Sequence, residues 1–110
     1  MSNAQVVRDM RAAFQQQDVQ AAERLLADEF SFTSPQDDHL DRAAYLRICF
    51  PTSSHFIEQI LMELVETDET TVLSRYEYEL HDGKRYRNVE ATTVVDGRIT
   101  AVEVYFGGEL

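Results

Sequence analysis

Glu90 is the side chain in this sequence whose type and surroundings point most directly to chemistry. It closes the run Arg87-Asn88-Val89-Glu90, and Ser74, Tyr76 and Tyr78 lie one strand earlier. A carboxyl in an apolar setting, where the ionised form is disfavoured, can serve as a general acid–base or donate a hydrogen bond to a developing oxyanion. Asn88 and Tyr76 are the candidates to orient it or a ligand. An amide has up to four hydrogen bonds to satisfy, and a phenol joins an apolar ring to a polar tip. The plainer reading of the same group is a satisfied carboxylate, bonded to Tyr76, Ser74 or Asn88, that holds core geometry. A second candidate is Asp37-Asp38-His39, just past Ser34-Pro35. There Asp38 could orient the His39 imidazole as a general base, or the stretch could supply a carboxylate beside Ser34. Ordinary turn chemistry explains the same residues.

Other chemistries find less support. His39, His55 and His81 lie in different segments without ligand spacing, so no metal is expected. No glycine-rich phosphate loop exists and no cofactor is implied. Tyr45 and Cys49 fall one turn apart on the same side of a predicted helix. Both read first as packing residues, and a nucleophilic cysteine would need a basic partner. The 110 residues make one domain, 1–110, with residues 1–4 expected to be disordered. A net charge of −10 argues against nucleic acid or an anionic membrane as a partner. One cysteine and the lack of an apolar leader or membrane-length stretch lead us to expect a cytoplasmic protein.

The elements that must position these groups fall into two halves. Val6, Val7, Met10, Ala13 and Phe14 share one face of a helix ending near Gln17. Asp18 caps a second short helix carrying Ala22, Leu25 and Leu26, and Asp41 caps a third from Arg42 to about Phe50, stopped by Pro51. Between them Phe30 to Ser34 alternates as a short strand. From about His55 the period changes. Residues 55–67, 70–80, 85–95 and 98–106 read as an antiparallel meander, punctuated at Asp68, Asp82-Gly83 and Asp96-Gly97. Helices first and strands after make an α+β fold.

Charges select the strand register. A three-residue loop His81-Asp82-Gly83, with Gly83 at a left-handed bulge, sets Glu79 against Arg85, Glu77 against Arg87, Tyr76 against Asn88 and Ser74 against Glu90. A bulged loop at Val95-Asp96-Gly97 would set Glu90 against Val102 and Asn88 against Val104. A two-residue turn would press Glu90 onto Glu103, a like-charge pair costing roughly 0.2–1 kcal/mol. The bulged register is therefore expected in both hairpins. It places Val72, Ser74, Tyr76, Tyr78, Tyr86, Asn88, Glu90, Thr92, Val102, Val104 and Phe106 on one face, too polar for a pure core.

Leu25-Leu26-Ala27-Asp28-Glu29-Phe30, Ser34-Pro35, Val95-Asp96-Gly97-Arg98-Ile99 and Glu103-Val104-Tyr105-Phe106-Gly107, in this order and spacing, resemble the SnoaL-like, nuclear-transport-factor-two-like superfamily over nearly the whole chain. Asp37 to Arg42 and Arg87 to Glu90 look like a bacterial subgroup whose members are mostly of unassigned function. The resemblance implies three N-terminal helices packed in a strongly curved, mixed but mainly antiparallel sheet, forming a cone with a central pocket. It also implies a small-molecule ligand, homodimerisation through the sheet, and no obligatory metal or cofactor. Ketosteroid isomerases of this fold carry a second acid at the position of Glu90. Their base position falls here on Ser34, which cannot abstract a carbon-bound proton, and helix one has no tyrosine for their phenol. The expected site is then Glu90, Asp38 and His39 for catalysis, with Asn88, Tyr76, Phe32, Ser34, Tyr45, Val102, Val104 and Phe106 around the ligand. Either an acid–base enzyme of isomerase, cyclase or hydrolase type or a non-catalytic binding or interaction module fits this set.

Overall fold

The computed structural model describes all 110 residues. Helix α1 (Asn3–Gln16) buries Val6, Val7, Met10 and Ala13, the stripe its periodicity marks. Ser2, set outside the fold by the sequence reading, instead caps this helix, accepting from Gln5 N, and Asn3 and Ala4 form its first turn. Gln17, at φ 55°, ends it in the left-handed conformation. Asp18 caps α2 (Val19–Leu25) through Ala21 N, and Asp41 caps α3 (Arg42–Ile48) through Ala44 N. The third helix is two residues shorter than expected. Pro51 is accommodated in the first turn of a following 3-10 helix, Phe50–His55, where a backbone N–H would have no partner within the helix.

The strands are β1 (Leu26–Thr33), β2 (Leu40–Asp41), β3 (Phe56–Glu66), β4 (Thr71–Leu80), β5 (Arg85–Val95) and β6 (Arg98–Glu109). They form one six-stranded sheet in the order β2-β1-β6-β5-β4-β3. All neighbours run antiparallel except β1 and β6, which are parallel. β1 begins four residues earlier than the alternation at Phe30 suggests, and β2 was not anticipated. The helices pack on one face of the curved sheet, burying Phe30, Phe50, Leu26, Val72, Val94 and Ile99 with the α1 stripe. No helix is long and apolar enough to cross a membrane.

The β4–β5 register is the one the charge pairs select: Glu79 opposite Arg85, Glu77 opposite Arg87, Tyr76 opposite Asn88 and Ser74 opposite Glu90. Gly83, at φ +85°, sits at the bulge. The β5–β6 hairpin differs. Its turn is two residues long, with Val95 opposite Arg98 and positive φ at both Asp96 (52°) and Gly97 (78°), as a type I′ Asp-Gly turn requires. The extra residue enters later, between Val94↔Ile99 and Thr93↔Ala101, as a bulge at Thr100. Glu90 therefore stands opposite Val104 and Asn88 opposite Phe106, not Val102 and Val104, while Glu103 faces Ala91. A displacement of two residues preserves side-chain parity, so the inward face keeps its membership. The like-charge clash is avoided by the bulge and not by the turn.

Candidate functional site

Between the helices and the inward face of the sheet lies a cavity of about 730 Å³. This is within the range of small-molecule pockets. Its floor is β4 and β5. The Tyr76 hydroxyl donates to Glu90 Oε2 at 2.6 Å and accepts from Asn88 Nδ2 at 3.2 Å. The three residues form a chain because each sits on the same face of adjacent strands, with Tyr76 directly opposite Asn88. Because Tyr76 gives its proton to Glu90, its oxygen is left to accept from the amide nitrogen. That fixes the Asn88 orientation and leaves Asn88 Oδ1 buried without a partner. Burial, then the Glu90 charge and the hydrogen bond to it, raise the Tyr76 pKa well above the ordinary phenol value. Tyr76 thus remains a proton donor at any physiological pH.

Phe32, Ser34, Tyr45, Val102, Val104 and Phe106 all line the same cavity. Tyr45 reaches it from α3 and packs edge-on against Phe30 at 5.1 Å and tilted against Phe32 at 5.0 Å. Burial, and then the charge of Glu90, raise its pKa too. Phe32 lies opposite Val102 across the parallel β1–β6 pair. An aromatic row, Phe56, Tyr78, Tyr86 and Phe106, runs across the open end, with Tyr78 stacked on Tyr86 at 5.4 Å.

Asp38 and His39 do not join this group. They bond to each other at 2.6 Å with side chains 90% and 74% exposed, and neither lines the cavity. His39 takes φ 52°, a left-handed turn that carries the pair outward. The carboxylate that reaches the mouth is Asp37, held in a tight turn. Its Oδ2 accepts from Ser34 Oγ at 3.2 Å and from Cys49 Sγ at 3.9 Å. Burial, and then the Asp37 charge, push the Cys49 thiol up to about 11, which keeps it from acting as a nucleophile. Among the histidines, His81 bonds Ser54 O at 2.8 Å and His55 borders the cavity. No group of three His, Cys, Asp or Glu side chains is placed to hold a metal ion.

Arg11 was missed at the level of sequence although a signal existed. Val7, Met10, Arg11 and Phe14 fall at i, i+3, i+4 and i+7, so Arg11 shares the face that the apolar residues define, and all four line the cavity. Its guanidinium carbon lies 4.8 Å from the centre of the Tyr76 ring, and Nη2 reaches Gln59 Oε1 at 3.5 Å. Gln59 is inward because β3 pairs it with Tyr78.

A family model described as a SnoaL-like domain matches residues 7–102. No curated protein matches the chain. Among solved structures, the chain is similar to an uncharacterised cystatin-fold protein from Novosphingobium aromaticivorans, at TM-score 0.78 and 16% identity over 96% of this chain and 98% of that one. It is similar to an NTF2-like protein of unknown function from Cytophaga hutchinsonii, at TM-score 0.74 and 20% identity over 96% and 91%. It is also similar to an LEH-like epoxide hydrolase from M. tuberculosis, at TM-score 0.73 and 19% identity over 93% and 80%. At these identities the likeness is one of fold.

Proposed function

Because this chain belongs to the SnoaL-like domain family, with the NTF2-like, cystatin-type fold, we propose that it binds a small molecule in the central cavity and performs acid–base chemistry on it through Glu90. The observation that carries this reading is the Asn88–Tyr76–Glu90 chain on the cavity wall. One carboxylate oxygen is engaged by a buried phenol, and Oε1 has no protein partner among the side-chain bonds. Glu90 is thereby oriented while keeping an oxygen with which to take or return a proton. Tyr76 holds the carboxylate in place by donating to it, and Asp37 supplies a second carboxylate at the mouth. Two carboxylates on one cavity suit an isomerase, cyclase or hydrolase that moves a proton between two points of its substrate. The epoxide hydrolase with the same fold supports the hydrolytic member of this set.

Proton exchange tests the proposal without a known substrate. Cyclic ketones of one to three rings, incubated with the protein in D2O, should exchange their α-hydrogens faster than in buffer, as followed by proton NMR. Glu90→Gln should abolish the acceleration while leaving the fold intact. Equal acceleration in the variant would remove Glu90 from the chemistry.

A homodimer formed through the outer face of the sheet accompanies this reading. That face exposes Val65 (49%), Leu73 (37%) and Tyr105 (57%) beside the ion pair Arg75–Glu63, and Ile60 (37%) between that pair and Arg85–Glu79. Apolar side chains interspersed with charge suit an interface of mixed composition. Sedimentation equilibrium should return twice the chain mass, and a monomer at micromolar concentration refutes it.

A further inference from the structure

Arg11 is the one permanently charged cation on the cavity wall, and the acid–base reading makes no use of it. The sequence holds twenty Asp and Glu residues, yet the ion pairs of the chain engage Arg75, Arg85 and His39, and none reaches Arg11. What holds the guanidinium is the face of Tyr76 and a contact to Gln59 at 3.5 Å, the long limit of a hydrogen bond. A contact with the ring face occupies no conventional acceptor, and Gln59 is the only hydrogen-bond partner of the guanidinium, so most of its N–H donors stay unfilled. A half-buried cation with unfilled donors is costly unless something completes it. Tyr76 lies between the two charges of the site, with Arg11 over its ring and Glu90 at its hydroxyl.

The second unfilled group is an acceptor. Asn88 Oδ1 is buried without a partner, and its orientation is set by the Tyr76 bond, so it calls for a hydroxyl donor from whatever occupies the cavity. Between and around these two groups the wall is aromatic: Phe14 meets Phe56 at 6.2 Å and Phe56 meets Tyr78 at 5.4 Å, both edge to face.

We propose that the cavity takes a hydroxylated carboxylic acid with a flat, ring-sized apolar body. Its carboxylate is held by the Arg11 guanidinium, and its hydroxyl donates to Asn88 Oδ1 beside Glu90. The proposal rests on the ligand-pocket reading above and names the class of ligand. A planar carboxylate matches the two-pronged geometry of arginine, and the aromatic wall takes the ring.

Isothermal titration with 6-hydroxy-2-naphthoic acid and with its neutral primary amide tests it, on the wild type, Arg11→Met and Arg11→Lys. Methionine keeps the unbranched stem on the helix face. Lysine keeps the charge without the fork, so it serves if the methionine variant fails to fold. The acid should bind wild type about tenfold or more tighter than the amide. Arg11→Met should bring the two within about twofold by weakening the acid alone, and Arg11→Lys should fall between. Equal binding of acid and amide to wild type, or a preference that survives Arg11→Met, overturns this inference and leaves the pocket reading standing. Binding of neither probe overturns both.

Discussion

Along β4, β5 and β6 the inward face changes character from one end to the other. At the closed end Val72, Val94 and Ile99 are each 1% exposed or less and pack against Val6, Met10 and Phe30 from the helices and β1. At the open end the same alternation delivers Tyr76, Asn88, Glu90 and Phe106 to a cavity wall, and Phe106 is 54% exposed. β4 pairs with β5 without a break through both regions, and the β5–β6 pairing is shifted once at each end, so backbone hydrogen bonding does not distinguish them. The difference is how closely the helices approach the sheet. Where α1 presses on it, side chains must be apolar and interlocking. Where the helices reach it only through long side chains such as Arg11 and Tyr45, polar side chains survive by bonding one another, as Asn88, Tyr76 and Glu90 do. A pocket in this fold is the part of a core that its helices leave unfilled.

Removing volume from the closed end should have the largest effect on stability. Phe30→Ala deletes a ring that is 2% exposed and should cost about 3–5 kcal/mol in urea unfolding. A loss below about 1 kcal/mol would mean that the closed end is as loosely packed as the open one. Tyr76→Phe acts at the boundary. It keeps the ring and removes the hydroxyl that joins Asn88 to Glu90, for an expected loss of about 1–3 kcal/mol.

The same phenol should be visible in alkali. Its folded pKa is raised above the ordinary 10.0, so its stabilising contribution is complete below pH 10 and is lost as pH climbs toward the higher folded value. Wild-type stability should therefore decline above pH 10, and more steeply than that of Tyr76→Phe. Parallel declines would place Tyr76 in water. The smallest effect belongs to the mouth and leaves stability untouched. With the Cys49 thiol at about 11 against an ordinary 9.0, alkylation by iodoacetamide at pH 8 should run about a hundredfold slower than for free cysteine. An equal rate would show that Asp37 and burial do not shield it.

Much of this was legible in the residues. The helix caps at Asp18 and Asp41, the α1 stripe and the β4–β5 register follow from contacts between near neighbours in sequence, where opposite charges and a glycine at positive φ each favour one arrangement. On β6 the turn differs from the one expected, and parity agrees with the expectation only because the bulge at Thr100 restores the offset that a two-residue turn removes; Glu90 keeps its inward direction by that route. That bulge was not legible, because threonine in a strand carries no mark of irregular pairing. The outward swing of Asp38 and His39 was not either, since an Asp-His pair reads the same whether a turn aims it at a pocket or at solvent.

The sequence by itself determined the three helices and five of the six strands, their order, and which side of each strand a residue occupies. These rest on local backbone preference and on an alternation that cannot slip by one without exposing a whole face. Only the tertiary structure decided which inward residues became core and which became cavity. It alone brought Arg11 from the first helix to the same space as Glu90, and it alone chose Asp37 over Asp38 and His39 as the loop residue at the mouth. Those choices depend on sheet curvature and on where three helices end above it, and both are set by contacts among residues far apart in the chain.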